Sequence, residues 1–294
     1  MISRMALGTV CLILLAAPAP AGNAVAEQNQ PRNVPGQKSP AGTQVATPDA
    51  TFVAKDYAFT GPDEVAAGWI TTKILNAGDD LHQVQLLKLP EGRSLQDFAA
   101  EITANYTRLP HWVQRRGGPN SVIPGEHAAA TVHLDPGNYV VICGIPDRRG
   151  VPHVALGMLK ALRVTAELPK VPEPPLADVT ITEEDFSFQV SKPIRSGKTT
   201  VRVVNNGSQA HEVVVVQLAR RATVNAFLDD FQPGVVTSPS GKPVGGMVGL
   251  EPGGEGFFTM NFVRGRYGLI CFLPDLTRGA PHFMRGMLMD INVE

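Results

Sequence analysis

From residue 49 onward the chain alternates apolar and polar side chains at a period of two, in short runs separated by Gly and Pro. Residues 69–75 (WITTKIL), 82–89 (HQVQLLKL), 129–134 (AATVHL) and 138–144 (NYVVICG) carry the pattern. Successive side chains of a strand point to opposite faces, so this pattern predicts antiparallel strands that each bury one face. Several such strands within roughly a hundred residues favour a two-sheet sandwich with Greek-key links. One stretch has a different period. Leu95, Phe98, Ala99 and Ile102 recur at i, i+3, i+4, i+7 behind Ser94, a good N-cap residue, and predict a short helix. The spacing returns at Val224, Phe227, Leu228 and Phe231 behind Thr223. The expected class is all-β, with one short helical insertion in each of two halves.

The halves match residue by residue. An offset of 129 lays Asp56, Tyr57 and Phe59 on Asp185, Phe186 and Phe188, and Gly68 on Gly197. It also lays Asn76-Ala77-Gly78 on Asn205-Asn206-Gly207, and His82 on His211. Past the helix the offset becomes 128, pairing Gly117-Gly118 with Gly245-Gly246, Pro124-Gly125 with Pro252-Gly253, and Cys143 with Cys271. It returns to 129 for His153 with His282, Gly157 with Gly286 and Met158 with Met287. Such self-similarity predicts tandem copies of one domain. The expected boundaries are 49–166 and 178–294, joined by a Pro-rich linker at 167–177 (ELPKVPEPPLA).

The first residues set the compartment. Arg4 precedes an apolar run over 5–19, too short to span a bilayer, and Ala24-Val25-Ala26 offers a small-x-small cleavage pattern before Glu27. Residues 1–26 therefore read as a signal peptide and 27–48, rich in Pro, Gly and Gln, as a flexible linker. The mature chain is expected to be periplasmic or secreted and to keep no membrane segment. A net charge of −1, with no basic block and few aromatic residues, gives no sign of nucleic-acid binding or of electrostatic attachment to membranes.

Cleavage removes Cys11 and leaves Cys143 and Cys271, for which a disulfide is the default in an oxidising compartment. Equivalent positions in two separate domains are poorly placed to bridge, however. Four of the seven histidines and one pair of methionines share that equivalence. The first set is His82, Cys143, His153 and Met158. The second is His211, Cys271, His282 and Met287. A His₂Cys trigonal set with a weak axial Met is the donor set of blue-copper electron-transfer centres. His111, His127 and His133 have no equivalents and read as surface or structural residues; Met284 and Met289 read as strand packing.

On these residues the chain resembles the cupredoxin superfamily. The segments NAGDDLHQVQLLKL and NNGSQAHEVVVVQL are similar to the strand that carries the first ligand in plastocyanins and their relatives. The loops CGIPDRRGVPHVALGM and CFLPDLTRGAPHFMRGM are longer, and are more similar to the type 1 loop of copper nitrite reductases. The resemblance implies two tandem cupredoxin-like sandwiches with up to two type 1 coppers, and single-electron transfer with redox partner proteins. It breaks at three places. Gln83 and Glu212 follow the first histidines, where the superfamily usually has Asn. Ile142 and Ile270 precede the cysteines, where nitrite reductases carry the histidine that wires a catalytic copper. No His-x-His motif exists to build a trinuclear cluster. A carrier is thus expected in preference to an enzyme. Copper storage or delivery, and a metal-free binding module on the same fold, are the alternatives.

Overall fold

The computed structural model describes residues 49–167 and 173–294. The expected signal peptide (1–26), the expected linker at 27–48, and 168–172 of the expected Pro-rich linker lie outside the described residues. No helix among the described residues is long and apolar enough to cross a membrane.

The chain is mostly β. The first half contributes β1 (Ala50–Lys55), β2 (Ala58–Thr60), β3 (Glu64–Asn76), β4 (Gln85–Lys88), α1 (Leu95–Ala104), β5 (Gln114–Arg115), β6 (His127–Leu134), β7 (Gly137–Ile142) and β8 (Leu159–Glu167). The second contributes β9 (Val179–Glu184), β10 (Ser187–Val190), β11 (Gly197–Asn205), β12 (His211–Leu218), α2 (Val224–Asp230), β13 (Gly241–Leu250), β14 (Glu255–Phe262), β15 (Gly265–Ile270) and β16 (Leu288–Val293).

Hydrogen bonding runs β2-β1-β3-β6 and β5-β4-β7-β8 in the first half, and β10-β9-β11-β14 and β13-β12-β15-β16 in the second. The long strand β3 serves both groups, pairing β1 and β6 near its end and β8 through Glu64–Ala67. Alternation explains the burial. In β1 Ala50, Phe52 and Ala54 are buried while Thr51 and Val53 are half-buried, and β9 repeats this with Val179, Ile181 and Glu183. Fully buried Phe52, Ile74, Leu86, Val141, Val203, Val215 and Leu269 belong to one continuous core that also takes in Cys143, Cys271, Met158 and Met287.

The halves meet edge to edge. Gly256, Phe257 and Phe258 of β14 oppose Val132, Thr131 and Ala130 of β6. Pro119 and Val122 likewise oppose Met247 and Val244 of β13. At each joint a segment meets the one that the 128-residue offset aligns with it, so that Ala130 faces Phe258, and Pro119 faces Met247.

Both helices lie where the 3.6-residue spacing puts them. Ser94 caps α1, its hydroxyl accepting from the Asp97 amide at 3.2 Å, and the Asp97 carboxylate accepts in return from the Ser94 amide at 2.8 Å. Phe98 and Ile102 bury beneath it against Leu87 and Val140. Thr223 caps α2. Phe231, expected in that helix, stands just past its end in extended backbone, because Pro233 disfavours helical geometry in the residues before it. The strand expected from His82 begins instead at Gln85. His82 and Val84 bond to Val122 and Pro119, segments of a crossing loop, before regular pairing starts.

Candidate metal centre

Two clusters bring together a cysteine and two histidines, His82–Cys143–His153 and His211–Cys271–His282, all fully buried. Neither cysteine forms a disulfide. Cys143 and Cys271 follow the last residues of β7 and β15, and the next His opens a single 3-10 turn, His153–Leu156 or His282–Arg285. Backbone bonds fold each loop back on itself. His153 N donates to Ile145 O, Val154 N to Cys143 O and Met158 N to His153 O; His282, Phe283 and Met287 repeat the pattern. Gly157 and Gly286 end the turns at φ of 101° and 103°, a conformation that suits glycine. Met158 and Met287 are fully buried, and their carbonyls accept from the Cys143 and Cys271 amides.

The remaining histidine comes from the end of the loop after β3 or β11. Asn76 clamps that loop. Its amide donates to Asp80 O and Val122 O, both at 2.8 Å, and its oxygen accepts from Gly78 N. Asn205 does the same with Gln209 O, Leu250 O and Gly207 N. Gly78 and Gly207 have no room for a side chain, since a Cβ at either would collide with the histidine Nε2 and the Asp56 or Asp185 carboxylate.

Hydrogen bonds outside the clusters fix the imidazoles. In the second, His211 Nε2 lies 2.8 Å from Asp185 Oδ1, and His282 Nε2 lies 3.1 Å from Gln209 Oε1, which also accepts from Leu276 N. Both partners are acceptors, so both Nε2 atoms carry the proton and both Nδ1 atoms present lone pairs. Those lone pairs face each other at 3.0 Å, with Cys271 Sγ 3.3 Å from His282 Nδ1. Two facing lone pairs and a sulfur thus converge in a dry site, an arrangement that a bound cation would stabilise. In the first cluster, Cys143 Sγ is 3.5 Å from His153 Nδ1 and 3.9 Å from His82 Nδ1, and Asp56 takes His82 Nε2 at 3.2 Å. Asp80 stands where Gln209 stands in the other half, but lies 3.9 Å from His153 Nε2 and instead accepts from Tyr57 Oη at 3.0 Å. His153 Nε2 is consequently a buried nitrogen without a hydrogen bond.

Titration follows the same geometry. Burial, then the neighbouring histidine, lowers His153 and His282 to about 4, and burial outweighs the aspartates in lowering His82 and His211. All four are therefore neutral at pH 7, the form that binds metal. Burial pushes the Cys143 thiol up to about 12 and Cys271 well above its ordinary value. A thiolate at either place calls for a positive partner. Soft sulfur with two neutral imidazoles fits copper, and both groups match the type 1 ligand set.

Of the other histidines, His133 packs edge-on against Trp69 at 5.5 Å and lies 3.6 Å from Asp135, while His127 is exposed. Neither joins a metal cluster among the described residues. Met284, expected in strand packing, is instead 68% exposed on the ligand turn beside His282, because that turn leaves the sheet before β16 begins. The sequence pattern did not single out Asp56, Asp185 and Gln209 as partners of the ligands, although the offset had aligned Asp56 with Asp185.

No protein-family profile and no curated protein matches the chain. Among solved structures, it is similar to a reduced auracyanin from the photosynthetic bacterium Roseiflexus castenholzii, at 22% identity and a TM-score of 0.27 over 39% of this chain and 94% of that one. It is also similar to a copper-containing nitrite reductase from Thermus scotoductus, at 12% identity and a TM-score of 0.24 over 83% of this chain and 60% of that one. A blue copper oxidase from Nitrosomonas europaea matches at 12% identity and a TM-score of 0.23, over 83% of this chain and 85% of the other. Likenesses at this level leave the chemistry of the site to its own residues.

Proposed function

We propose that the chain is an exported copper protein that holds one type 1 copper in each of two tandem cupredoxin-like Greek-key domains, 49–166 and 178–294, and carries single electrons between redox partners. The observation behind this reading is the convergence of Cys Sγ and two deprotonated Nδ1 atoms, each imidazole aimed by an acceptor at its far nitrogen in the second cluster.

His82, Cys143 and His153 would hold one metal and His211, Cys271 and His282 the other, with the buried thioethers of Met158 and Met287 as further soft donors. Copper bound there supplies a one-electron couple. The protein's part is to keep the donors still. Asn76 and Asn205 lock the first histidine's loop, the 3-10 turns lock the second, and the sheets fix the cysteines. Such rigidity keeps the donor geometry the same for both oxidation states, which lowers the barrier to electron exchange. Full burial of all four imidazoles supports electron transfer over storage or delivery, which needs a metal that exchanges readily. Leu276 and Met284, both exposed on the second ligand loop, offer an apolar contact for a partner beside His282.

Replacement of one thiol at a time tests this reading. Cys143→Ser and Cys271→Ser should each remove about half of the intense thiolate-to-copper absorption, with one copper per chain remaining, if the two sites are alike. Full colour in either variant would remove that cysteine from the proposed centre.

A further inference from the structure

The two ligand groups are linked across the halves by a buried polar contact that packing alone does not require. Asn120, fully buried on the crossing loop of the first half, donates from Nδ2 to Glu212 Oε2 at 3.2 Å, and to the carbonyls of Val213 and Met247 at 3.3 and 3.1 Å. Glu212, also buried, accepts from Phe272 N at 3.2 Å through its other oxygen. On the first side, Asn120 lies two residues from Val122, whose backbone exchanges hydrogen bonds with His82 at 3.0 and 3.3 Å. On the second side, Glu212 follows His211 and Phe272 follows Cys271 in the chain. A hydrogen-bonded path therefore runs from the His82 backbone through Val122, Ser121, Asn120 and Glu212. There it divides to reach His211 and Cys271.

The surroundings and the residue types single this path out. Ser121 and Glu212 line a cavity of about 480 Å³ that opens between the halves, walled by Ile145, Phe231, Phe272 and Phe283. Electronic coupling decays faster across empty space than along covalent and hydrogen bonds, so a crossing at the cavity wall has the advantage over one through the cavity. The contact also occurs once. The offsets align Asn120 with Val248 and Glu212 with Gln83, and Val248 has no polar atom to bridge with. Burying an asparagine and a glutamate costs free energy unless both are fully hydrogen-bonded, as they are here.

We propose that Asn120 and Glu212 form the coupling bridge between the two metal groups and make the chain a two-centre relay, in which an electron that enters at one centre leaves at the other. The net step is balanced: one centre is oxidised as the other is reduced, and no proton or bond changes hands. The inference rests on both sites holding copper.

The test has two parts. In the metal-free chain, NMR should show the Asn120 side-chain amide protons protected from solvent exchange, and Glu212→Leu, which leaves Nδ2 only the Val213 and Met247 carbonyls, should measurably reduce that protection; unprotected amide protons in the wild type, or protection unchanged in the variant, would overturn the bridge. In the copper-loaded chain, pulse radiolysis should show reduction at one centre followed by a concentration-independent transfer to the other. The double variant Asn120→Leu/Glu212→Leu, which removes both members of the bridge, should slow that transfer several-fold with copper content and both EPR signals unchanged. An unchanged rate, or no intramolecular phase in the wild type, overturns the relay. A chain that binds fewer than two coppers fails earlier and refutes the proposed function itself.

Discussion

Glu183 offers a measurable consequence of the way the second half is packed. It lies on β9 with its side chain fully buried, and neither carboxyl oxygen has a hydrogen-bond partner. Burial, reinforced by the Glu212 carboxyl, raises its titration well above the ordinary 4.5. Ala54 is the aligned residue of the first half. Glu183→Met keeps the unbranched shape and removes the orphaned oxygens. Leaving a buried polar group unpaired costs about 1–3 kcal/mol, so the variant should be more stable by about that much at low pH, where the carboxyl is neutral folded and unfolded. The pH dependence has a definite sign. The folded state holds the proton above 4.5 and the unfolded state releases it there. Wild-type stability from this group is therefore present in full below 4.5 and is lost as pH rises towards the folded value. The loss runs at up to about 1.4 kcal/mol per pH unit, a loss the methionine does not suffer. Each kcal/mol is worth about 2–4 °C in a chain of this size. Thermal melts of the metal-free protein at about pH 5, 6 and 7 should show the gap in Tm between variant and wild type widening with pH. A gap that stays constant, or a variant that melts lower throughout, would refute the reasoning.

Asp185→Ala removes the acceptor that orients His211, and should weaken copper binding at the second site by about 10–100-fold, leaving the first unchanged, in a competition titration with a chelator. Gly207→Ala places a methyl against both Asp185 Oδ1 and His211 Nε2 and should cost about 1–3 kcal/mol in chemical denaturation. Phe257 is buried at the joint between the halves, 5.4 Å from the Trp69 ring, so Phe257→Ala should cost about 3–5 kcal/mol and lower the calorimetric Tm.

How far the sequence could be read depended on whether the information was local. The period-two runs and the i, i+3, i+4, i+7 stripes report on contacts within one element, and both helices and most strands lie where those patterns put them. The two cysteine–histidine clusters, with the methionine proposed for each, stood out in the sequence for a different reason. Cys143, His153 and Met158 sit on one short loop, so their spacing is a property of a single segment, and the aligned Cys271, His282 and Met287 doubled the signal. The partners that aim the imidazoles were not legible. Asp185 reaches His211 from the turn between β9 and β10, and Gln209 reaches His282 across 73 residues. An aspartate in a β-turn looks the same whether or not a histidine lies beside it. Asn120 and Glu212 depend on the docking of two halves, 92 residues apart in the chain, and no periodicity encodes that meeting. Met284 shows the opposite failure: its apolar type suggested packing, yet the ligand turn holds it outside the sheet.

The claim that His82–Cys143–His153 and His211–Cys271–His282 are type 1 copper sites meets its most direct test in the EPR spectrum and metal count of the mature chain titrated with Cu(II). The account predicts saturation at two coppers per chain, each with the narrow parallel hyperfine splitting of a thiolate-bound copper and an accompanying intense visible band. Copper that stays colourless, with the wide splitting of nitrogen and oxygen ligation, would contradict it.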